Sequence, residues 1–368
     1  MNKSDKKNIV LSWGWTGGHV FPLEALQEYL KNSSKYNFYW FWNQWDLEEE
    51  IAYDNNINFV YIPSWKLRRY FDIKNFFEPL KNISGFFFAL YYLVSKKIDI
   101  VFSKWWYVSI PTCLAAKVLW KKIFVHESDT ETGLANKIVS KLATKIFYSF
   151  PNKKIDNKKH FISGQILNPK LLYSVRDLKS QSEKDNTVVM KDNFWSWNFK
   201  QNEKLEVVVI AWSQGSTTIF ENLLKILNNL ININFTIILW SKNIHLWPQF
   251  KKHSNVKVYD FVSQEKMWEI YTKSDIAITR AWATTLWELY YFGIHSIIIP
   301  LKNSAWNHQT KNAIVFNKNF WSNILEESDK LSLEIFRLLE KFKELRKAWL
   351  NLDWFMNPIK IIEREINK

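Results

Sequence analysis

Short apolar runs and segments of helical periodicity alternate along most of this chain. NIVLS is followed by LEALQEYL, where Leu23, Leu26 and Leu30 recur on one helical face; NFYWFW, NFVYIP, IDIVFS, KKIFVHE and KIFYSF carry the pattern forward. A second series begins at LEVVVIA and continues through FTIILW, VKVYDFV, DIAITR and HSIIIP. A parallel strand pair needs a crossover, usually a helix, so such alternation builds a doubly wound α/β sheet. Residues 174–204, between the two series, are polar and charged. The pattern predicts two Rossmann-like α/β domains facing across a cleft, at 1–170 and 171–350, with a C-terminal helical segment over 351–368. At 368 residues the chain can form two cores of ordinary domain size.

The turns of these units carry an anomaly. LSWGWTGGHV, residues 11–20, has the form of a strand-to-helix turn that cradles phosphate, yet Trp13 and Trp15 flank its Gly14. The chain holds 8 Gly and 21 Trp, whereas glycine alone is about 7% of an average chain. Trp105 and Trp106 follow IDIVFS, Trp120 precedes Lys121-Lys122 where a helix should end, and Trp212 follows VVVIA. Trp240 closes FTIIL and Trp282 follows DIAIT. These are places where positive φ or close backbone approach calls for glycine. The counts fit a gene whose UGA codons specify glycine in its own cell and read as tryptophan under another code. Restored, the segments become SGGGTGGHV, SKGGYVS, LGKK, AGSQGS, ILGSKN and RAGATT. Trp40, Trp42, Trp45, Trp195, Trp197, Trp268 and Trp349 fit this reading less well, and some of them are read as genuine.

Composition narrows the function. Lys and Arg number 50 against 36 Asp and Glu, a net charge of +14, which favours an anionic partner: a nucleotide diphosphate, acidic lipid or nucleic acid. A single Cys113 excludes an internal disulfide and a multi-cysteine metal site, in keeping with a reducing cytoplasm. The apolar run after MNKSDKKN is too short for a signal-peptide core. ISGFFFALYYLV falls short of the roughly 20 residues that cross a bilayer.

Three segments carry chemistry. In the first turn Gly14, Gly17 and Gly18 let backbone N–H groups face a phosphate, and His19 falls at a helix start. There the helix dipole disfavours imidazolium and leaves a neutral ring able to accept a proton near pH 7. AWSQGS repeats the arrangement in the second half, with Ser213, Gln214 and Gly215 as donors to a diphosphate at a helix N-terminus. In RAWATTLWELYYFG, Glu288 can chelate two ribose hydroxyls, and in the NHQTKNA segment His308 and Gln309 can read sugar hydroxyls.

With these segments in order, the chain resembles the MurG family of UDP-N-acetylglucosamine transferases. The matching stretches are GGGTGGHVFP at 13–22 after restoration, GGYVS at 105–109, HESDTETGLANK at 126–137, GSQGS at 212–216, TRAGATTLxEL at 279–289 and NHQTKNA at 307–313. The family has glycine where this chain has Trp13, Trp15, Trp105, Trp106, Trp212 and Trp282. The resemblance implies a GT-B fold and inverting, metal-free, cofactor-free transfer of GlcNAc from UDP-GlcNAc to undecaprenyl-pyrophosphoryl-MurNAc-pentapeptide. This is the lipid I to lipid II step of peptidoglycan synthesis. The chain has no Asp-Xaa-Asp triplet to hold a divalent cation.

On this resemblance His19 is the base, with Glu127 a second proton-handling candidate. Thr16, Gly17, Gly18 and Asn136 carry over to the sugar and acceptor side, as do Tyr107 and Ser109. Ser213, Gln214, Gly215, Val262, Ala283, Thr284, Thr285, Leu286, Trp287, Glu288, His308 and Gln309 carry over to the nucleotide-sugar. Asn168-Pro169 is followed by Lys170-Leu171 where the family has an arginine two places on, leaving Lys170 to make that phosphate contact. The GGYVS segment runs into Ile110-Pro111-Thr112-Cys113, where the family commonly has glycines. The partners implied are UDP-GlcNAc, lipid I and an anionic membrane surface, not nucleic acid, at the cytoplasmic face of the membrane. The basic, aromatic stretch from Lys66, Arg68, Arg69 and Tyr70 through Phe76-Phe77 to Phe86-Phe87-Phe88 suits that surface. The residues also leave open another UDP-sugar-dependent GT-B glycolipid synthase, a basic nucleic-acid-binding protein, and a dead relative if the tryptophans fill the cleft.

Overall fold

The computed structural model describes residues 6–12, 17–31, 35–43, 58–64, 74–104, 109–151, 155–156, 158–168, 171, 204–211, 217–302, 304, 307–320, 322–343 and 358–368. The chain forms two compact units, Met1–Pro169 with Met356–Lys368, and Lys170–Phe355. Of the helical segment expected at 351–368, the described helix Pro358–Asn367 belongs to the first unit, whereas 351–355 fall within the bounds of the second.

In the first unit, β1 (Lys7–Ser12), β2 (Tyr36–Trp42), β3 (Asn58–Tyr61), β4 (Ile100–Ser103), β5 (Lys122–Glu127), β6 (Lys145–Tyr148) and β7 (His160–Ile162) form one sheet. Its order is β3-β2-β1-β4-β5-β6-β7, and every pair is parallel. Helices α1 (Gly17–Lys31), α2 (Lys74–Ser95), α3 (Ser109–Val118) and α4 (Leu134–Leu142) supply the crossovers. The strands are apolar on both sides because both faces are covered. Ile9, Leu11, Phe102 and Phe124 pack with Leu23, Leu26 and Leu30 of α1 on one face. Val10, Val101 and Val125 pack with Ala89, Leu93, Cys113 and Ala116 on the other. The α1 face is completed by Ile359, Ile362 and Ile366 of the helix Pro358–Asn367. Lys7 Nζ donates to Ile366 O at 2.7 Å, and Lys145 pairs with the buried Glu365 at 3.1 Å. Trp40 and Trp42 are core residues, and Trp40 Nε1 donates to Gln27 Oε1 at 2.6 Å.

In the second unit β8 (Leu205–Ile210), β9 (Ile233–Ile238), β10 (Val256–Tyr259), β11 (Ile276–Thr279), β12 (His295–Ile298) and β13 (Ser322–Ile324) pair in parallel in the order β10-β9-β8-β11-β12-β13. Numbered after α4, its helices are α5 (Thr217–Leu224), α6 (Trp240–Asn243), α7 (Trp247–Phe250), α8 (Gln264–Lys273), α9 (Ala283–Tyr291), α10 (His308–Asn319) and α11 (Leu331–Lys341). The helix Pro358–Asn367 is α12. Val207, Val209, Ile278 and Ile297 pack against Ile219, Phe220 and Leu223 of α5 and Ile335 of α11. Every strand run named from the sequence forms a strand. The two not foreseen, β7 and β13, have three residues each, too few to show a pattern.

Three helices end in one hydrogen-bonding pattern. After α2, Lys97 N donates to Val94 O and Ile98 N to Leu93 O; after α9, Gly293 N donates to Tyr290 O and Ile294 N to Leu289 O. After α3, Trp120 N donates to Lys117 O at 3.1 Å and Lys121 N to Ala116 O at 2.9 Å. This is the Schellman arrangement, whose left-handed residue is usually glycine. That residue has φ 49° at Lys97, 56° at Trp120 and 66° at Gly293. Trp240, which opens α6, has φ 57°. Trp282 does not share this conformation: its backbone is extended, with φ −74°.

Candidate active site

Strand order in the first sheet reverses between β1 and β4, and open α/β sheets bind ligands beyond the C-terminal strand ends at such a point. Ser12 O, at the end of β1, accepts from Lys104 N at 3.1 Å and from the buried Ser109 Oγ at 3.1 Å. Gly17, Gly18 and His19 form the first turn of α1, whose leading N–H groups have no partner within the helix. Thr16 and Tyr107 lie outside the described residues, as does the side chain of His19.

Glu127, the last residue of β5, is buried. Its Oε1 accepts from Asp129 N at 3.1 Å and its Oε2 from Asn136 Nδ2 at 2.9 Å. Burial, and then the neighbouring Asp129 charge, push its carboxyl up to about 8 against the hydrogen bonds it accepts. Two residues that the motifs did not single out stand beside it. Lys104 is fully buried and donates to Ser128 Oγ at 3.0 Å, with Nζ 3.4 Å from His126 Nδ1. His126 Nε2 lies 3.1 Å from Gly164 O, so that nitrogen carries the proton and Nδ1 is left to accept from the lysine. Burial holds the Lys104 ammonium down to about 7, opposed by the charges of Glu127 and Asp129.

In the second unit the turn from β11 into α9 is held from behind. Arg280 is buried, pairs with Glu327 and donates to Ile299 O at 2.9 Å. Asn312 Nδ2 donates to Ala281 O at 3.1 Å. Ala283, Thr284 and Thr285 open α9, and Glu288 follows one turn later, half-buried, accepting from Tyr271 OH of α8 at 3.3 Å. Burial pushes the Glu288 carboxyl up to about 8, with the Tyr271 bond opposing. Leu286 and Trp287 are core residues, and the Trp287 ring packs on Tyr290 and Phe320. With both side chains buried, these two positions offer a ligand backbone rather than side chain. Val262 is buried beyond β10.

His308 opens α10 beside the Trp282 ring, centroids 5.8 Å apart. The Trp282 Nε1 is buried and has no hydrogen-bond partner among the described residues. Gln309 is buried, and its Oε1 accepts from Leu301 N at 3.1 Å, so it fastens the segment before α10. Ser213, Gln214, Gly215 and Lys170 lie outside the described residues. The sequence signal for Lys104 was a basic residue directly after a buried strand. Tyr271 gave none, because its partner Glu288 is on another helix, and the role of Arg280, though it lies in a quoted motif, depends on Glu327, distant in sequence.

Comparison with known proteins matches residues 9–148 to the glycosyltransferase family 28 N-terminal domain and 206–352 to the glycosyltransferase family 28 C-terminal domain. The UDP-N-acetylglucosamine–N-acetylmuramyl-(pentapeptide) pyrophosphoryl-undecaprenol N-acetylglucosamine transferase of Clostridium perfringens is 33% identical over 97% of this chain and 94% of its own. The enzyme of the same name from Clostridium kluyveri is 31% identical over 94% of each chain. Among solved structures, Acinetobacter baumannii MurG superposes with a TM-score of 0.71 at 22% identity, covering 96% of this chain and 95% of that one. A UDP-GlcNAc 2-epimerase from Neisseria meningitidis superposes with a TM-score of 0.66 at 13% identity, covering 98% of this chain and 99% of that one. The likeness to these two structures is one of fold.

Proposed function

This chain belongs to glycosyltransferase family 28, and on that premise we propose that it transfers GlcNAc from UDP-GlcNAc to the C4 hydroxyl of MurNAc in lipid I. The product is lipid II, for peptidoglycan synthesis. The observation that carries the reading is the pairing of identity along the whole chain with ordered motifs at the C-terminal strand ends of both GT-B sheets. His19 takes the proton of the C4 hydroxyl as its oxygen attacks the anomeric carbon; the bond from that carbon to the UDP oxygen breaks, and configuration inverts. UDP departs with its negative charge met by backbone N–H groups at helix starts. Glu288, held by Tyr271, binds the ribose. Asn136, tied to Glu127, and Ser109, tied to Ser12, serve the acceptor side. The basic charge is thus matched to two diphosphates.

Docking at the cytoplasmic membrane face follows from the acceptor's lipid. No described helix is long and apolar enough to cross a membrane. Instead α2 exposes Ile83, Phe87, Phe88, Tyr91 and Val94, and α3, which packs against it, exposes Leu114 and Val118. Lys96, Lys97 and Lys117 fringe this face, a pattern suited to an anionic bilayer. Residues 66–70 lie outside the described residues, and nothing is said of the Phe76 and Phe77 side chains.

The test is incorporation of labelled GlcNAc from UDP-GlcNAc into lipid I and into diacylglycerol. Product from lipid I alone supports the reading. Product from diacylglycerol alone assigns a glycolipid synthase, and steeply salt-dependent RNA or DNA binding without transfer assigns a nucleic-acid-binding protein.

A further inference from the structure

Lys104 is an unusual residue for the C-terminal end of a central strand. Successive strand residues face opposite sides. Phe102 and Phe124 belong to the core on the α1 side of the sheet, so Lys104 and His126, two residues further along each strand, continue on that side. The hydrogen bond from Lys104 N to Ser12 O ties it to the end of β1, five residues before α1 begins at Gly17. The ammonium is thus buried on the same side as the helix that begins at Gly17 and carries His19 in its first turn.

A buried ammonium is costly unless a counter-charge meets it. Its two hydrogen-bond partners, Ser128 Oγ and the neutral His126 Nδ1, are both uncharged. They account for two of its three protons. The acids that face it, Glu127 at the end of β5 and Asp129 in the loop beyond, make no ion pair with it among the described residues. Each is already engaged: Glu127 accepts from Asn136 and from the backbone of Asp129, and Asp129 has interactions of its own. The site therefore keeps a cation in reserve at the strand ends where its anionic substrate has to come.

We propose that Lys104 supplies the counter-charge for the diphosphate of the lipid acceptor. This rests on the lipid I reading of the function. The bound dianion draws the ammonium's proton more firmly on, and Ser128 and His126 hold Nζ in place before it arrives. Lysine suits the task as a compact point charge, and arginine keeps the charge with a different shape.

The experiment is steady-state kinetics with a short-chain lipid I analogue, in the form of the chain that transfers. Lys104→Met raises the acceptor KM at least tenfold, with kcat and the UDP-GlcNAc KM within about twofold of the parent. Lys104→Arg recovers most of the loss. Acceptor KM in the parent rises as pH passes above 7 and stays level in Lys104→Arg, a difference that a purely structural lysine would not produce. Inorganic pyrophosphate, used as an inhibitor competing with the acceptor, weakens in Lys104→Met. Unchanged acceptor KM in Lys104→Met overturns the proposal. So does a parallel loss in Lys104→Met and Lys104→Arg with lowered melting temperature, which marks a structural role. If the parent chain does not use lipid I, the functional reading fails first. Lys104-dependent binding of pyrophosphate by the whole chain then decides whether the anion site stands without it.

Discussion

Trp120 and Gly293 hold the same place in the same motif: each is the left-handed residue closing a helix, at φ 56° and 66°, with the same pair of backbone hydrogen bonds. Glycine pays no steric penalty there, whereas a residue with a Cβ is disfavoured by roughly 1 kcal/mol. Trp120 is 91% exposed, so its indole gains little burial to offset that strain. Trp120→Gly is expected to stabilise the protein by about 1 kcal/mol, seen as a higher melting temperature; a drop would show that the indole packs.

The same conformation at Trp240 supports glycine as the residue encoded at these turns. Mass spectrometry of the protein from its own cell is expected to read glycine at 120 and 240, while Trp40, buried and hydrogen-bonded, reads as tryptophan. Glycine at 13, 15, 105, 106, 212 and 282 together is expected to give an active transferase where the tryptophan form is inert. Equal activity of the two would refute the recoding.

Gly85, in the middle of α2, has no room for a side chain: a Cβ there would stand 1.9 Å from the Pro63 carbonyl oxygen. Gly85→Ala is expected to cost about 1–3 kcal/mol through a forced shift of helix or strand end. A melting temperature equal to that of the parent chain would mean that Pro63 yields freely.

The Glu288 carboxyl keeps its proton in the folded protein up to about pH 8, whereas its ordinary value is 4.5. Between those two values the unfolded chain releases a proton that the folded chain retains, so stability falls as pH rises through this window and levels off above it. Glu288→Gln removes that contribution. Melting temperatures at pH 5 and pH 8 should therefore differ less in the variant; an unchanged difference would mean that the carboxyl is well solvated.

His19→Ala is expected to lower kcat by about 10²–10⁴-fold, the usual scale for general-base removal, with the UDP-GlcNAc KM within about twofold. Near-normal turnover would assign the proton to another group, with Glu127 the first to test.

Serine at Phe87, Tyr91 and Val94 together is expected to abolish sedimentation with anionic vesicles while leaving melting unchanged, because all three side chains are exposed. Retained sedimentation would place the membrane contact elsewhere.

The strands were legible because a parallel sheet buried on both faces writes continuous apolar runs, as in IVLS and VVVI. Three-residue strands such as Ser322–Ile324 write nothing comparable. The family was legible from the order of the glycine-spaced motifs, which survives tryptophan at some of their positions. The charge network was not: Lys104 meets Ser128 from 24 residues away, and Tyr271 meets Glu288 from 17. Those meetings depend on which strands become neighbours. The conformation at Trp120 was legible as a helix end, but its left-handed backbone follows only from the two hydrogen bonds that close α3.

The docking of α12 onto α1 makes the first unit discontinuous. Its α1-side core takes Ile359, Ile362 and Ile366 from the far end of the numbering, while the second unit is built from one uninterrupted stretch. During synthesis the second unit can therefore close while the first still waits, with Leu23, Leu26 and Leu30 lacking part of their cover. A nascent chain stalled before residue 358 should expose this apolar seam to chaperones, even though 169 of the first unit's 182 residues have already left the ribosome.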